Sequence, residues 1–157
     1  MSGKGGFNVS GKWELESTKN YPEWLEDMGI PEAERQKSLA NTPSLEIVHE
    51  GDTFDYVSRK GEVMKKVTKK IGEEYLDTAH GLSETRVPRW EGDKLVISAA
   101  NNPPGRWTTT CELDCNRLLL TYTSHHDGKD GVTAKRWFAR VGEPDSDFVL
   151  QQKTEQN

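Results

Sequence analysis

Short segments in which apolar and polar residues alternate recur along most of the chain. Successive side chains of a strand point to opposite faces, so this alternation predicts strands. From residue 44 onward the segments return about every ten residues and are separated by turn signals. Evenly spaced antiparallel strands with tight turns are typical of an all-β, up-and-down barrel. Together with one earlier segment, the pattern predicts ten strands, at residues 11–18, 45–50, 54–59, 63–70, 74–79, 82–90, 95–100, 107–113, 118–124 and 132–141.

Helix signals interrupt the alternation after the first strand. Asn20 is predicted to cap a helix over residues 21–28, with Pro22 in its first turn and Gly29 ending it. A second helix is predicted over residues 31–39. The two form a helix-turn-helix inserted after the first strand.

Several strands have no purely apolar face. In the sixth strand, one face carries Leu82, Glu84, Arg86 and Pro88. A close-packed core does not tolerate such a face, because buried polar groups need partners. We therefore expect a cavity that holds ordered water and a ligand.

Arg136 is the most informative residue of the last strand. It shares a face with Val132, Ala134 and Phe138, which are small or apolar. A guanidinium in such surroundings needs an anionic or polar partner. Two interpretations stay open: the arginine pairs with a carboxylate of the protein or faces solvent, or it lies in a cavity and receives the carboxylate of a ligand.

Composition supports a single domain with a partly polar interior. The chain has 157 residues, of which 32% are hydrophobic and 30% charged, and its mean hydropathy is −0.84. We expect a flexible N-terminus at residues 1–6, a barrel domain at 7–141 and a polar C-terminal tail at 142–157. The net charge of −5 argues against nucleic acid as a main partner.

The sequence favours a cytoplasmic protein. No stretch approaches the roughly 18 apolar residues of a membrane-spanning helix, and the first residues do not form a signal peptide. In an extended segment Cys111 and Cys115 would lie about 13 Å apart, beyond the reach of a disulfide. Both are therefore expected to be free thiols, with Cys115 in a turn.

No catalytic or metal site is predicted. The run His125-His126-Asp127, followed by Asp130, falls in a predicted turn over residues 125–131, and a metal site there is the less favoured interpretation. We could place no Ser-His-Asp constellation and no glycine-rich phosphate loop. The protein is therefore expected not to be an enzyme.

A basic run lies in the fourth strand, at Lys65, Lys66, Lys69 and Lys70. We interpret it as a charged edge. It either keeps the protein soluble or contacts anionic membranes transiently during ligand transfer.

Six short motifs, in order along the chain, resemble the intracellular lipid-binding proteins, the family of fatty-acid-binding and cellular retinoid-binding proteins. Each motif is weak alone, but their order and spacing over residues 7–141 make the resemblance specific. The motifs are Gly11-Lys-Trp-Glu-Leu15, Asn20-Tyr21, Glu23-Trp24-Leu25, Ile71-Gly-Glu-Glu-Tyr75, Gly92-Asp-Lys-Leu-Val96 and Val132-Thr-Ala-Lys-Arg-Trp-Phe138.

The resemblance implies a ten-stranded, calycin-like barrel whose two helices form a lid over the entrance to a water-filled interior. A fatty acid, retinoid or similar hydrophobic molecule binds inside, and no other cofactor is implied. Arg136 and Phe138 match the arginine and tyrosine that hold the ligand carboxylate in the family, so Phe138 lacks the hydroxyl. The second arginine of the family falls at Cys111, which leaves a single charged donor.

The predicted ligand-binding residues centre on Arg136. Tyr122 is expected to supply the hydroxyl that Phe138 lacks. For Trp24 and Met28 two interpretations stay open: contact with the ligand, or packing of the helix on the barrel rim. The full predicted set is Arg136, Phe138, Tyr122, Leu120, Cys111, Thr109, Trp24 and Met28.

The predicted function is the intracellular binding and transport of a hydrophobic small molecule by a monomer. One alternative is a chromophore-binding or fluorescent protein, because the lid segments 29–31 and 41–45 resemble the bilirubin-binding fluorescent proteins of eels. Another is a luciferase-type enzyme on the same barrel.

Overall fold

The chain folds as ten strands and two short helices, as seen in a computed structural model. The structure describes residues 8–40, 42–60, 63–79 and 81–144. The elements in chain order are β1 (Gly11–Lys19), α1 (Tyr21–Asp27), α2 (Glu32–Ala40), β2 (Ser44–Glu50), β3 (Thr53–Lys60), β4 (Val63–Lys70), β5 (Tyr75–Ala79), β6 (Leu82–Glu91), β7 (Lys94–Ala99), β8 (Trp107–Asp114), β9 (Arg117–His126) and β10 (Lys129–Gly142).

All ten strands belong to one antiparallel sheet that curls into a nearly closed barrel. The order of strands is β4-β3-β2-β1-β10-β9-β8-β7-β6-β5, so β4 and β5 are the two edges. The Lys65 ammonium of β4 crosses between these edges and donates a hydrogen bond to the carbonyl of Thr78 in β5. The predicted all-β barrel with a helical lid is therefore confirmed.

The last hairpin is tighter than predicted. The predicted turn over residues 125–131 is wrong, because β9 continues to His126 and β10 begins at Lys129. Asp127 and Gly128 form a two-residue turn with φ values of 53° and 78°. Positive φ at both positions is the type I′ arrangement, which Asp-Gly favours and which matches the twist of the two strands.

The two helices close one end of the barrel, and Asn20 is the N-cap residue of α1, as predicted, although its side chain makes no capping hydrogen bond. Asn20 adopts a left-handed backbone (φ 60°), and its side-chain amide donates to the carbonyl of Thr133 on β10, 3.3 Å away, while its side-chain oxygen accepts no hydrogen bond from the helix. It therefore ties the start of α1 to the barrel. At the other end, Gly29 (φ 77°) provides the left-handed residue that ends the helix.

Apolar side chains fill the two ends of the barrel and leave a polar region between them. The cluster beneath the helices consists of Tyr21, Trp24, Leu25, Met28, Ile30, Trp107 and Ala134. The cluster at the opposite end consists of Val9, Trp13, Ile47, Phe54, Leu95, Ile97, Cys111, Leu118 and Phe138. The site described below lies between these clusters.

The predicted flexible N-terminus lies outside the described residues, as does most of the predicted tail. β10 extends one residue into that tail, to Gly142. Within residues 8–40, 42–60, 63–79 and 81–144, no helix has the length and apolar character needed to cross a membrane.

Asp27, the last residue of α1, fastens the lid to the β9–β10 hairpin. Its Oδ2 accepts hydrogen bonds from Ser124 Oγ and from His126 Nε2, the latter at 2.6 Å. A serine, a histidine and an aspartate thus meet, which the sequence did not reveal. Both side chains bond the same carboxylate oxygen, so these contacts build a latch and provide no nucleophile–base pair.

We expect this latch to weaken in acid. The hydrogen bonds from Ser124 and His126 lower the pKa of Asp27 below its usual value. Its contribution to stability is therefore complete above the ordinary carboxyl pKa and is lost as the pH falls through the lowered, folded-state value. Urea unfolding should show Asp27→Asn less stable than the wild type at about pH 7, with the difference shrinking as the pH falls below the ordinary carboxyl pKa. Glu26→Gln, an exposed neighbour, is the control and should show no such convergence.

Candidate functional site

Two adjoining cavities occupy the barrel interior beneath the helices. The inner cavity has a volume of about 250 Å³ and the outer cavity, beneath α2, about 500 Å³. The inner cavity is lined by Tyr21, Trp24, Leu45, Tyr56, Ser58, Lys65, Val67, Lys69, Asp77, Ala79, Ile97, Trp107, Thr109, Cys111, Leu120, Tyr122 and Arg136. Both cavities share Tyr21, Leu45, Ser58, Lys65, Ala79, Leu120, Tyr122 and Arg136, so Arg136 lies where they meet.

Strand register brings the predicted neighbours of Arg136 together. Arg136 pairs with Leu120 on β9, and Leu120 pairs with Cys111 on β8. Tyr122, two residues further along β9, pairs with Thr109. All five line the inner cavity, so the predicted inward face is confirmed. That these residues contact a ligand stays a prediction.

The Arg136 guanidinium is surrounded by aromatic rings. It lies 4.5 Å from the ring centre of Tyr21 and 5.5 Å from that of Phe138. Its Nη1 lies 3.5 Å from the Tyr122 hydroxyl, which is the outer limit of a hydrogen bond. Its Nε is buried and has no acceptor in the described part of the chain. A charged donor is thus left with capacity to bind an acceptor in the cavity.

No anion of the protein neutralises Arg136 within the described residues. The ion pairs found there involve other cations, such as Arg59 with Glu46 and Arg86 with Asp77. Burial raises the pKa of Tyr21 to about 12, against the opposing influence of Arg136, so this phenol stays neutral at physiological pH. Of the two interpretations left open by the sequence, the structure supports a cavity arginine over an internal ion pair.

The other predicted residues divide between cavity and core. Trp24 lines the inner cavity, and its ring centre lies 5.2 Å from that of Tyr122. Phe138 borders the outer cavity, but it is only 1% exposed. It belongs to the apolar cluster at the end of the barrel opposite the helices. Met28 packs in the cluster beneath the helices. The packing interpretation therefore fits Met28, and contact with the cavity fits Trp24.

Arg86 is fully buried in the barrel wall. The sequence alone had shown only that it shares a strand face with both polar and apolar residues. Its Nη1 donates to Glu84 Oε1 (3.1 Å) and to the carbonyl of Trp107 (2.6 Å), and its Nε lies 3.2 Å from Asp77 Oδ2. Its Nη2 donates to the carbonyl of Ile97 at 3.0 Å. Because protein groups satisfy this arginine, its role is structural, in contrast to Arg136.

Two lysines of β4 point into the barrel, so the basic run is not the uniform charged edge that was predicted. Strand alternation places Lys65 and Lys69 on the inner face, where both line the inner cavity. Lys66 and Lys70 lie on the outer face. Lys65 is exposed and Lys69 is half-buried, so Lys69 does not belong to a purely solvent-facing edge. Transient membrane contact by the run stays a prediction.

Both cysteines are free, as predicted, but they differ in environment. Cys111 is buried in the cavity wall, and burial raises the pKa of its thiol to about 12. Cys115 is exposed in the β8–β9 turn. Because the thiolate is the reactive form, we expect a disulfide reagent to modify Cys115 rapidly in the folded protein and Cys111 only after unfolding. Rapid modification of both in the native state would contradict the buried position of Cys111.

The histidines of the last hairpin make contacts within the protein. His125 Nε2 lies 2.7 Å from Thr108 Oγ1, and its Nδ1 lies 3.1 Å from Asp130 Oδ1. His126 belongs to the latch with Asp27. In the part of the chain that the structure describes, no group of three or more potential metal ligands is close enough to hold an ion.

Comparison with known proteins gives a consistent result. The family model described as the Lipocalin / cytosolic fatty-acid binding protein family matches residues 10–140. Cellular retinoic acid-binding protein 1 of Bos taurus is 28% identical over 142 residues, which cover 85% of this chain and 98% of that protein. Cellular retinoic acid-binding protein 2 of Mus musculus is 30% identical with the same coverage.

Solved structures share the fold. A structure described as the REP1-NXSQ fatty acid transporter has a TM-score of 0.73 at 21% identity, covering 84% of this chain and 95% of its own. Lipid binding protein 8 of Caenorhabditis elegans, in its apo form, has a TM-score of 0.70 at 24% identity, covering 84% and 94%.

Proposed function

Because the chain belongs to the lipocalin and cytosolic fatty-acid binding protein family, we propose that it is a non-enzymatic cytosolic carrier of a hydrophobic carboxylic acid. The ligand class is an apolar body with one terminal carboxylate, which fatty acids and acidic retinoids share. The apolar body occupies the cavities beneath the helices, and the carboxylate binds at Arg136.

The observation that carries this proposal is the unneutralised guanidinium of Arg136. A buried cation without an anion is costly, and a ligand carboxylate removes that cost while making charge-assisted hydrogen bonds. The Nε of Arg136, buried without an acceptor in the described residues, is a donor of the required kind. Tyr122, 3.5 Å from Nη1, is positioned to add a hydroxyl donor.

The charge of the inner cavity supports an anionic ligand. Among the described residues that line it, Lys65 and Arg136 are cationic, Lys69 is a further basic side chain, and Asp77 is the carboxylate. The balance is positive even though the chain as a whole carries a net charge of −5. The inner cavity therefore favours an anion although the chain as a whole is acidic.

We expect a fatty acid to bind the full-length, delipidated protein about tenfold to a hundredfold more tightly than the alcohol of the same chain length. The reason is a charge-assisted hydrogen bond, which is worth about 1.5–3 kcal/mol. Titration calorimetry with a straight-chain acid and its alcohol measures this ratio, and retinoic acid against retinol repeats it for a retinoid.

Each outcome decides a separate part of the proposal. Equal affinity for acid and alcohol would show that the cavity does not recognise a carboxylate. Binding of neither pair would show that the cavity does not take this class of ligand. Preference for one acid over the other would identify the apolar body that the cavities fit.

A further inference from the structure

Lys69 is a primary amine inside the ligand cavity. It projects from the inner face of β4, lines the inner cavity and is half-buried. Its Nζ lies 4.3 Å from the ring centre of Tyr56 and 5.4 Å from that of Tyr75. In the described part of the chain it has no hydrogen-bonded or ion-paired carboxylate, whereas Lys65, on the same face, is held by the Thr78 carbonyl.

We infer that Lys69 is a covalent capture site, whose amine forms a reversible imine with a hydrophobic aldehyde bound in the cavity. The amine lone pair attacks the carbonyl carbon, a C–N bond forms, and the carbonyl oxygen takes up the proton that the nitrogen loses. Loss of one water from this carbinolamine gives the C=N bond. The sum is aldehyde plus amine giving imine plus water, with no oxidant or reductant.

The surroundings of Lys69 favour the neutral, nucleophilic amine. Desolvation lowers the pKa of Lys69, and the cations Arg86 and Lys65 act in the same direction, while Asp77 and Cys111 oppose them. A lysine desolvated in an apolar pocket and placed near other cations is the arrangement by which proteins activate amines toward carbonyl groups.

Neutral aromatic rings stand beside the amine. Tyr56 and Tyr75 stay neutral because burial raises the pKa of each phenol. The aldehyde is therefore held among uncharged rings, and the cavity concentrates it beside the amine. A hydrophobic ligand bearing an aldehyde instead of a carboxylate would thus be retained at Lys69 on β4 instead of at Arg136 on β10.

This inference rests on the proposed function, since it requires that the cavity bind hydrophobic ligands, and the test separates the two. The full-length, delipidated protein is incubated with one equivalent of decanal and mild cyanoborohydride, which converts an imine to a stable secondary amine. Intact mass and peptide mapping locate the decyl group. In parallel, displacement of a fluorescent fatty-acid analogue by decanal and by decanol reports occupancy of the cavity without any covalent step.

The matched variants are Lys69→Met and Lys66→Met, which remove an inward and an outward lysine of the same strand. We expect one decyl group on Lys69 in the wild type and in Lys66→Met, and at least a tenfold lower yield in Lys69→Met, with displacement by decanol retained in all three. Excess decanol should protect Lys69 in the wild type.

Decyl groups spread over surface lysines in the wild type, with Lys69 unmodified, would overturn the inference even if Lys69→Met failed to fold. Displacement without an adduct at Lys69 would overturn the imine while leaving the carrier function intact. Failure of the analogue to bind at all would instead contradict the proposed function.

Discussion

Replacing Arg86 with methionine is expected to lower the free energy of unfolding by about 3–5 kcal/mol, the cost of removing one partner from a buried ion pair. The arginine is 0% exposed and joins β5, β6, β7 and β8 through its contacts with Asp77, Glu84, Trp107 and Ile97. Methionine keeps most of the volume but leaves two carboxylates and two carbonyls without their donor. Urea denaturation followed by tryptophan fluorescence measures the change.

Arg89→Met is the matched control for this prediction. Arg89 lies on the opposite face of the same strand, is exposed, and donates one hydrogen bond to Ser98 Oγ at 3.0 Å. Its removal should change stability by less than about 1 kcal/mol. Similar losses for the two variants would mean that the network around Arg86 contributes no more than a surface contact.

The strand plan could be predicted because the signals for it are local. Alternation and turn residues recur through the sequence, and eight of the ten predicted strands agree with the structure to within one residue at each end. The two exceptions are the strands of the last hairpin, which are longer than predicted. There the polar run from His125 to Asp130 suggested a loop, whereas Thr108 of β8 and Asp27 of α1 give its histidines hydrogen-bond partners within the fold.

The sequence could predict that the interior is partly polar, but not which polar residues point inward or what they contact. Alternation shows that Arg86, Lys69 and Arg136 each share a face with apolar neighbours, but it does not show which face is inside or which groups have partners. Arg86 is satisfied by groups from three other strands, distant in sequence. Lys69 was assigned to a surface run because four lysines lie close together on one strand.

The position of Arg136 inside the cavity was predictable for a different reason. The last strand combines its arginine with small and aromatic residues, and the motif Val132–Phe138 resembles the last strand of a known family, whose ligand arginine matches Arg136. Asn20 stands at the start of α1, as predicted, but its side chain does not cap the helix because it finds a partner on β10, 113 residues away. A capping preference depends only on neighbouring residues, so it cannot predict a contact with a residue so distant in sequence.

Replacing Arg136 with glutamine is expected to weaken binding of a carboxylic acid by about tenfold to a hundredfold, equivalent to about 1.5–3 kcal/mol. Glutamine keeps a donor but removes the charge, so the alcohol of the same chain length should lose far less. Stability should stay constant or rise, because the variant removes a buried cation that has no carboxylate partner among the described residues. Calorimetric titration with both ligands and urea unfolding give the two readouts.

The control is Arg140→Gln, the same change on the same strand, where the arginine is exposed and pairs with Glu143. It should leave the affinity for the acid unchanged. Phe138→Tyr, next to Arg136 on the inner face, is expected to strengthen carboxylate binding by adding a hydroxyl donor. If Arg136→Gln lowered stability while leaving the affinity for every acidic ligand unchanged, the arginine would be structural, and the carboxylate would have to bind elsewhere in the cavity.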